Sequence, residues 1–354
     1  LGYETTAVED GRVTFKGNWE AVCRANLWLR TGERVLIKIG EFNAYSFEEL
    51  FDKTYALDWE CLIGRNSAFP VKGYCLKSKL ASVRDCQAII KKAVAAKLSD
   101  KYGIEWLPED GCTYQIQFSL MKDRVTLMID TSGEGLHKRG YRKKSNLAPL
   151  KETMAAAMVM MSYWKFEYPL CDPFCGSGTI PIEAAMFKRN IAPGLMRDFA
   201  AEQFDQIDAK LWENARDEAR ALERDISPEI YARDIDSEAV ELTAENARIA
   251  GVGRFIHVEK GDAADFYSDK KYGAIICNPP YGERLSDKRE CEKLYAKIGK
   301  SFSHLDEWSY YILTSNENFE NIFGRKADKR RKLYNGMIKC SVYQYFGARP
   351  PKLN

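Results

Sequence analysis

The chain has 354 residues, 45% hydrophobic and 29% charged, a size that accommodates two or three domains with ample core and a composition that excludes a collagen, a disulfide mini-protein or a low-complexity chain. Lys and Arg number 53 against 51 Asp and Glu, a net charge of +2, which excludes a uniformly basic nucleic-acid coat and leaves room for a local basic face. No stretch approaches the ~18–20 apolar residues that span a bilayer, so no membrane segment is expected.

The chain opens on Leu1-Gly2-Tyr3-Glu4, with neither a basic lead nor an apolar signal core, and the missing Met points to a trimmed start. Residues 19–29 and 82–98 carry apolar side chains at helical spacing, the second with Val83, Cys86, Ile89, Ile90, Val94 and Leu98. Residues 34–39, 114–120 and 124–130 alternate apolar and polar, as strands of a half-buried sheet do. Strands with isolated helices indicate an α+β fold up to about residue 135.

A basic run follows, Gly135-Leu136-His137-Lys138-Arg139-Gly140-Tyr141-Arg142-Lys143-Lys144, leading into a helical pattern over 148–164. Beyond it come a strand (168–172), helix (179–188), strand (230–234), helix (237–250) and two strands (255–259 and 273–277). A helix around 290–302, a strand over 308–314 and a hairpin over 333–346 complete the chain. Strands joined by crossover helices predict a doubly wound, mostly parallel sheet, α/β in class, closed by an antiparallel hairpin. Residues 200–225, net acidic and charged on most faces, read as an inserted, solvated structural helix. The ten cysteines, many in apolar runs, read as reduced thiols of a cytoplasmic protein. Cys171 and Cys175 lie close without a nearby His, and His137, His257 and His304 lack metal-ligand spacing, so no metal is expected.

The chemistry gathers at the ends of the predicted strands. Asp172-Pro173-Phe174-Cys175-Gly176-Ser177-Gly178-Thr179 forms a glycine-rich strand-to-helix turn that lets a ligand approach the backbone at a helix N-terminus. It is neither a GxxxxGK[ST] phosphate loop nor a full GxGxxG. Asp234, at the end of the next strand, suits bidentate bonding to ribose hydroxyls, while Asp236 reads as a helix cap. Asp262, after the third strand, can accept from an adenine amino group. The fourth strand ends in Asn278-Pro279-Pro280-Tyr281-Gly282-Glu283-Arg284, the most specific signal in the chain. Its prolines remove donors and turn carbonyls into the crevice at the carboxyl end of the sheet. The Asn278 side-chain oxygen and the Pro279 carbonyl can then accept both hydrogens of an aromatic amine, exposing its lone pair, with Tyr281 stacked on the base.

This constellation resembles the class I S-adenosylmethionine-dependent amino-methyltransferases, whose fourth motif is (N/D)PP(Y/F), over residues 148–346. The resemblance implies that Asp172, Phe174, Gly176, Ser177, Gly178 and Thr179 surround the methionine part. It places the ribose at Asp234 and Ile235 and the adenine at Asp262 and Ala263, and it implies catalytic roles for Asn278, Pro279, Pro280 and Tyr281, with Asn278 also at the cofactor. With the run 135–142, Ala148-Pro149-Leu150-Lys151-Glu152-Thr153 and Leu333-Tyr334-Asn335-Gly336, the whole chain is similar to the bacterial THUMP-domain family of large-subunit rRNA guanine-N2-methyltransferases. That similarity implies a ferredoxin-like part (1–45), a THUMP domain (46–135) and a methyltransferase domain (136–354, core from 147), with S-adenosylmethionine as cofactor and RNA as partner. His137, Lys138, Arg139, Tyr141, Arg142 and Arg284 are the expected RNA contacts. The chain ends too soon for the second, fused methyltransferase domain that some members carry. A second basic group, Arg325, Lys326, Lys329, Arg330, Arg331 and Lys332, also suits phosphates.

The expected reaction is methyl transfer to guanine N2 in 23S rRNA. A tRNA guanine-N2-methyltransferase and a non-catalytic RNA assembly factor are the rival readings, and a DNA adenine or protein glutamine methyltransferase shares the NPPY logic without the N-terminal module.

Overall fold

In a computed structural model the described residues are 1–142, 149–282, 285–305, 307–336 and 338–351. Lys143, Lys144, Ala148 and Arg284 of the sequence reading lie outside them. The chain divides into two compact units.

The first unit comprises residues 1–28, 32–136 and 198–218. It begins with a two-stranded antiparallel hairpin, β1 (Thr5–Glu9) and β2 (Arg12–Phe15), followed by α1 (Trp19–Trp28). A four-stranded sheet follows, built from β3 (Leu36–Asn43), β4 (Val71–Leu76), β5 (Ile116–Met121) and β6 (Arg124–Asp130) in the order β3-β6-β5-β4. Two helices, α2 (Phe47–Tyr55) and α3 (Val83–Tyr102), pack on one another. α3 forms where the apolar spacing predicts it. Ser82 caps its start by accepting from Asp85 N, and Gly103 ends it in the left-handed region. Cys86, Ile90, Val94 and Leu98, four apart, are all buried.

The segment 198–218 corrects the reading of 200–225 as a solvated helix. It contains most of α6 (Ala209–Ala221). Trp212, Ala215 and Ala219 form a buried stripe at 3–4 spacing among the charges, and Trp212 stacks on Phe199 at 5.2 Å. The Arg24 guanidinium grips Glu218 through two bonds of 2.8 and 2.9 Å.

The second unit is a seven-stranded sheet with helices on both faces. In chain order it holds α4 (Glu152–Met161), β7 (Leu170–Asp172), α5 (Thr179–Lys188), β8 (Ile230–Asp234), α7 (Ser237–Ile249), β9 (Ile256–Lys260), β10 (Ala274–Cys277), α8 (Leu285–Phe302), β11 (Ser309–Thr314), α9 (Phe319–Phe323), β12 (Lys329–Asn335) and β13 (Ile338–Tyr345). The strand order is β12-β13-β11-β10-β7-β8-β9, with β7 to β11 parallel and β13 antiparallel to both its neighbours. One core cluster gathers Leu170, Ile180, Ile230, Ile276 and Leu313; a second gathers Cys277, Tyr295, Phe302 and Ile312. The central strands β7, β10 and β11 are buried on both faces nearly throughout, whereas β8 and β9, towards the edge, alternate and keep polar residues such as His257 and Glu259. The chain winds outward from β7 through β8 to β9, then returns to place β10 on the other side of β7. That reversal opens a crevice at the carboxyl ends of β7 and β10.

Among the described residues no helix is long and apolar enough to cross a membrane. All ten cysteines are free thiols, and no group of three or more His, Cys, Asp or Glu gathers as a metal site among the described residues.

Candidate active site

Four polar residues stand at the carboxyl ends of adjacent strands: Asp172 closes β7, Asp234 closes β8, Asp262 lies two residues beyond β9, and Asn278 follows β10. The strands are neighbours in the sheet, so residues spread over about a hundred positions face one crevice.

Asp172 is 1% exposed, and among the described residues its carboxylate accepts only from Phe174 N, at 3.1 Å. Burial pushes its carboxyl well above the usual range, with the nearby Asp234 charge adding to the rise. The turn beyond it needs glycine. Gly176 and Gly178 have φ of +53° and +81°, and a Cβ on Gly178 would meet Thr243 Cγ2 at 2.9 Å, whereas one on Gly176 would point into open space. The turn is held from several sides. Gly176 N donates to Asp234 Oδ2 (2.9 Å), Thr243 Oγ1 to Gly176 O (2.9 Å) and Asn246 Nδ2 to Ser177 O (2.9 Å). The Gly-rich face is thereby fixed before any ligand arrives.

Asp234 Oδ1 accepts from Asp236 N at 3.1 Å, which orients the carboxylate and leaves lone pairs for further donors. Asp236 caps α7, accepting from Glu238 N, as its position predicts. Beside Asp234, Ile235 is 67% exposed, an apolar surface at the lip of the crevice, while Ala263 is buried. Asp262 accepts from Ala264 N (2.9 Å) and from Lys297 Nζ (2.7 Å), and those bonds hold its carboxyl below the usual range.

At Asn278 the structure departs from expectation. The Tyr281 hydroxyl donates to Asn278 Oδ1, and the Tyr281 ring packs against the first core cluster. Burial pushes its phenol far up. Tyr281 therefore holds the Asn278 side chain rather than offering an open ring face. Tyr295, buried in α8, donates to Pro280 O at 2.6 Å and lies 3.1 Å from Thr314 Oγ1. No described donor bonds the Pro279 carbonyl; Pro279 is buried and Asn278 half-buried.

The expected RNA contacts divide. Lys138 is exposed and His137 partly so. Arg139 is 2% exposed and paired at 3.3 Å with the fully buried Glu183, and Tyr141 is fully buried against the same carboxylate at 3.5 Å. Both belong to the core, because a carboxylate on α5 draws the guanidinium inward. Arg142 is likewise turned in: it donates to Glu152 (2.8 Å), Ser177 Oγ (2.5 Å) and Thr179 Oγ1 (2.7 Å), bracing the Gly-rich turn. In the second basic group, Arg325 lies 3.7 Å from Asp328, and Arg330 pairs with Glu320.

Sequence reasoning named Glu152 within a matched run without its pairing to Arg142, and missed Tyr295, Lys297, Thr243 and Asn246. Only the last two left a signal: polar residues three apart on α7, on the face shared with Ala239 and Ala247.

A parallel sheet with this strand reversal, an antiparallel β13, a Gly-rich first turn and acidic residues ending the next strands defines a class I methyltransferase. The chain belongs to the RMKL-like methyltransferase family, whose domain matches residues 139–344. Residues 1–36 match the RlmL ferredoxin-like domain and 44–130 the THUMP domain. The chain is 48% identical, over 99% of its own length and 92% of the relative's, to a Bacillus subtilis (strain 168) protein named "Putative RNA methyltransferase YpsC". The crystal structure of SMU.472 complexed with SAH superposes with a TM-score of 0.92 at 45% identity, covering 99% of this chain and 93% of that one. A Listeria monocytogenes protein described as a "predicted N6-adenine-specific DNA methylase" superposes with a TM-score of 0.93 at 47% identity, covering 98% and 90%.

Proposed function

We propose that this methyltransferase transfers a methyl group from S-adenosylmethionine to the exocyclic N2 amine of a guanine in RNA, the substrate being 23S rRNA. The half-buried Asn278, following β10 at the carboxyl ends of the parallel strands with its side-chain oxygen held by Tyr281, is the observation that carries the reading.

The residues fit the cofactor. A buried carboxylate with one hydrogen bond among the described residues, Asp172, calls for a cationic partner such as the methionine ammonium. The open space at Gly176 admits a ligand against the backbone, Asp234 retains acceptor capacity for ribose hydroxyls, and Ile235 offers an apolar face to adenine. A similar protein complexed with SAH supports the same assignment. When bound, S-adenosylmethionine supplies an electrophilic methyl on a sulfonium.

The protein's part is to present the amine. Asn278 Oδ1 and the Pro279 carbonyl accept its two hydrogens, drawing the nitrogen towards tetrahedral geometry so that the lone pair faces the methyl group. Tyr281 holds the Asn278 amide in that orientation, and Tyr295 fixes the Pro280 peptide, so the acceptors are set in advance. As the C–N bond forms, the methyl–sulfur bond would break with its electron pair going to sulfur, leaving S-adenosylhomocysteine, and the amine proton would then pass to water.

RNA as the substrate is supported by the THUMP match, by the RlmL-type domain at the N-terminus and by the name of the Bacillus relative. The Listeria description favours adenine in DNA, which the same amine-binding geometry would serve. Incubation with labelled S-adenosylmethionine and undermodified 23S rRNA, tRNA or DNA separates the readings: N2-methylguanosine in rRNA is expected.

A further inference from the structure

The β12–β13 hairpin turns at Gly336, beyond the end of the sheet that carries Asn278. Thr314, the last residue of β11, pairs with Ser341, so residues 338–340 extend past the carboxyl ends of the parallel strands. Cys340 lies in the core cluster against which Tyr281 packs, and Cys340 and Asn335 are polar neighbours of the Tyr281 hydroxyl. The hairpin tip therefore adjoins the Asn278–Tyr281 loop.

Leu333, opposite Cys340, faces that core; Tyr334, the next residue of the strand, faces away and is 57% exposed. Lys332 Nζ sits 5.5 Å from the Tyr334 ring centroid. Behind them along β12, the outermost strand, Lys329 and Arg331 are exposed and ion-paired to no described residue, unlike Arg330. Cations on a free edge strand have an ordinary use in preventing edge-to-edge aggregation. An exposed tyrosine at the tip does not serve that use. Side chains alternate along the strand, so Lys332 shares the face of Tyr334 while Lys329 and Arg331 leave from the face of Leu333. An exposed ring with a cation beside it on the same face is the pattern that binds single-stranded nucleic acid.

We propose that this hairpin holds single-stranded RNA next to the target nucleotide, Tyr334 stacking on a base that flanks it while Lys332 takes the adjoining phosphate. The proposal rests on the RNA reading and assigns to Tyr334 the stacking role that the packed ring of Tyr281 does not offer.

The test is fluorescence anisotropy of a labelled unstructured RNA oligonucleotide with the full chain, and calorimetry of S-adenosylmethionine on each variant to verify the methyltransferase unit. Tyr334→Ala should weaken RNA binding by roughly 5- to 150-fold, the range of one base stack. Tyr334→Phe should restore it and Tyr334→Leu should not, because stacking needs a ring rather than bulk. Lys332→Ala should lower the slope of log affinity against log salt by about 1. Wild-type binding left unchanged by Tyr334→Ala, or Leu serving as well as Phe, overturns the hairpin proposal and leaves the RNA reading standing. A wild-type chain that binds the cofactor but no RNA overturns both.

Discussion

Asp172 is costly to the protein without its ligand. Burial raises its carboxyl pKa, so ionising it in the folded state costs stability that the unfolded chain does not lose. That cost is absent below the ordinary carboxyl range of about 3.9 and grows as pH rises through it towards the raised value. Asp172→Asn should therefore make the ligand-free protein more stable at neutral pH, on the order of 1–3 kcal/mol, and abolish the increase in melting temperature given by S-adenosylmethionine. Thermal unfolding with and without the cofactor reads both, and a less stable variant that still responds to the cofactor would contradict the assignment. Asn278→Ala should lower kcat by roughly 10²–10³, the usual effect of losing one preorganised polar group, with calorimetric affinity for the cofactor retained. Arg139→Ala should cost about 3–5 kcal/mol in urea unfolding, since it leaves Glu183 buried and unpaired. Its folded fraction should bind RNA with an unchanged salt slope; a lowered slope would return Arg139 to the RNA contacts.

At the scale of elements, α8 does more than cover the sheet. Its Tyr295 is the donor that fixes Pro280 O. Tyr295→Phe keeps the ring in the core cluster and should cost about 0.5–1.5 kcal/mol. It should also lower kcat with little change in cofactor affinity, because the acceptor loop loses its fixed position. Steady-state kinetics together with calorimetry separate this outcome from general destabilisation, which would lower both. The element pattern also shows what a sequence makes legible. Helix α5 and strands β6 and β8 have the expected limits because Gly178, Asp130 and Asp234 punctuate strong local patterns. Asp172, Asp234, Asp262 and Asn278 were legible because parallel strands place their carboxyl ends together. The direction in which a side chain points was not. Arg139 and Lys138 are neighbours in one basic run, but the guanidinium enters the core because Glu183, over forty residues away, awaits it. The Tyr281 ring reads as a base platform until its contacts with the first core cluster are seen. The Trp212 stripe of α6 was hidden by the charges around it, since only the partner surface selects which face is buried.

For the whole molecule, a net charge of +2 conceals its distribution. Much of the apparent basic surface is neutralised internally, at Arg139, Arg142 and Arg330. The exposed cations that remain on β12 lead to a hairpin tip beside the Asn278–Tyr281 loop. The central claim is that this loop methylates guanine N2 in ribosomal RNA. The most direct measurement is nuclease digestion and mass spectrometry of 23S rRNA, lacking the modification, after incubation with the purified chain and S-adenosylmethionine, with tRNA alongside. The account predicts N2-methylguanosine in the rRNA, lost with Asn278→Ala. N6-methyladenosine as the only product, or methylation confined to tRNA, would contradict it.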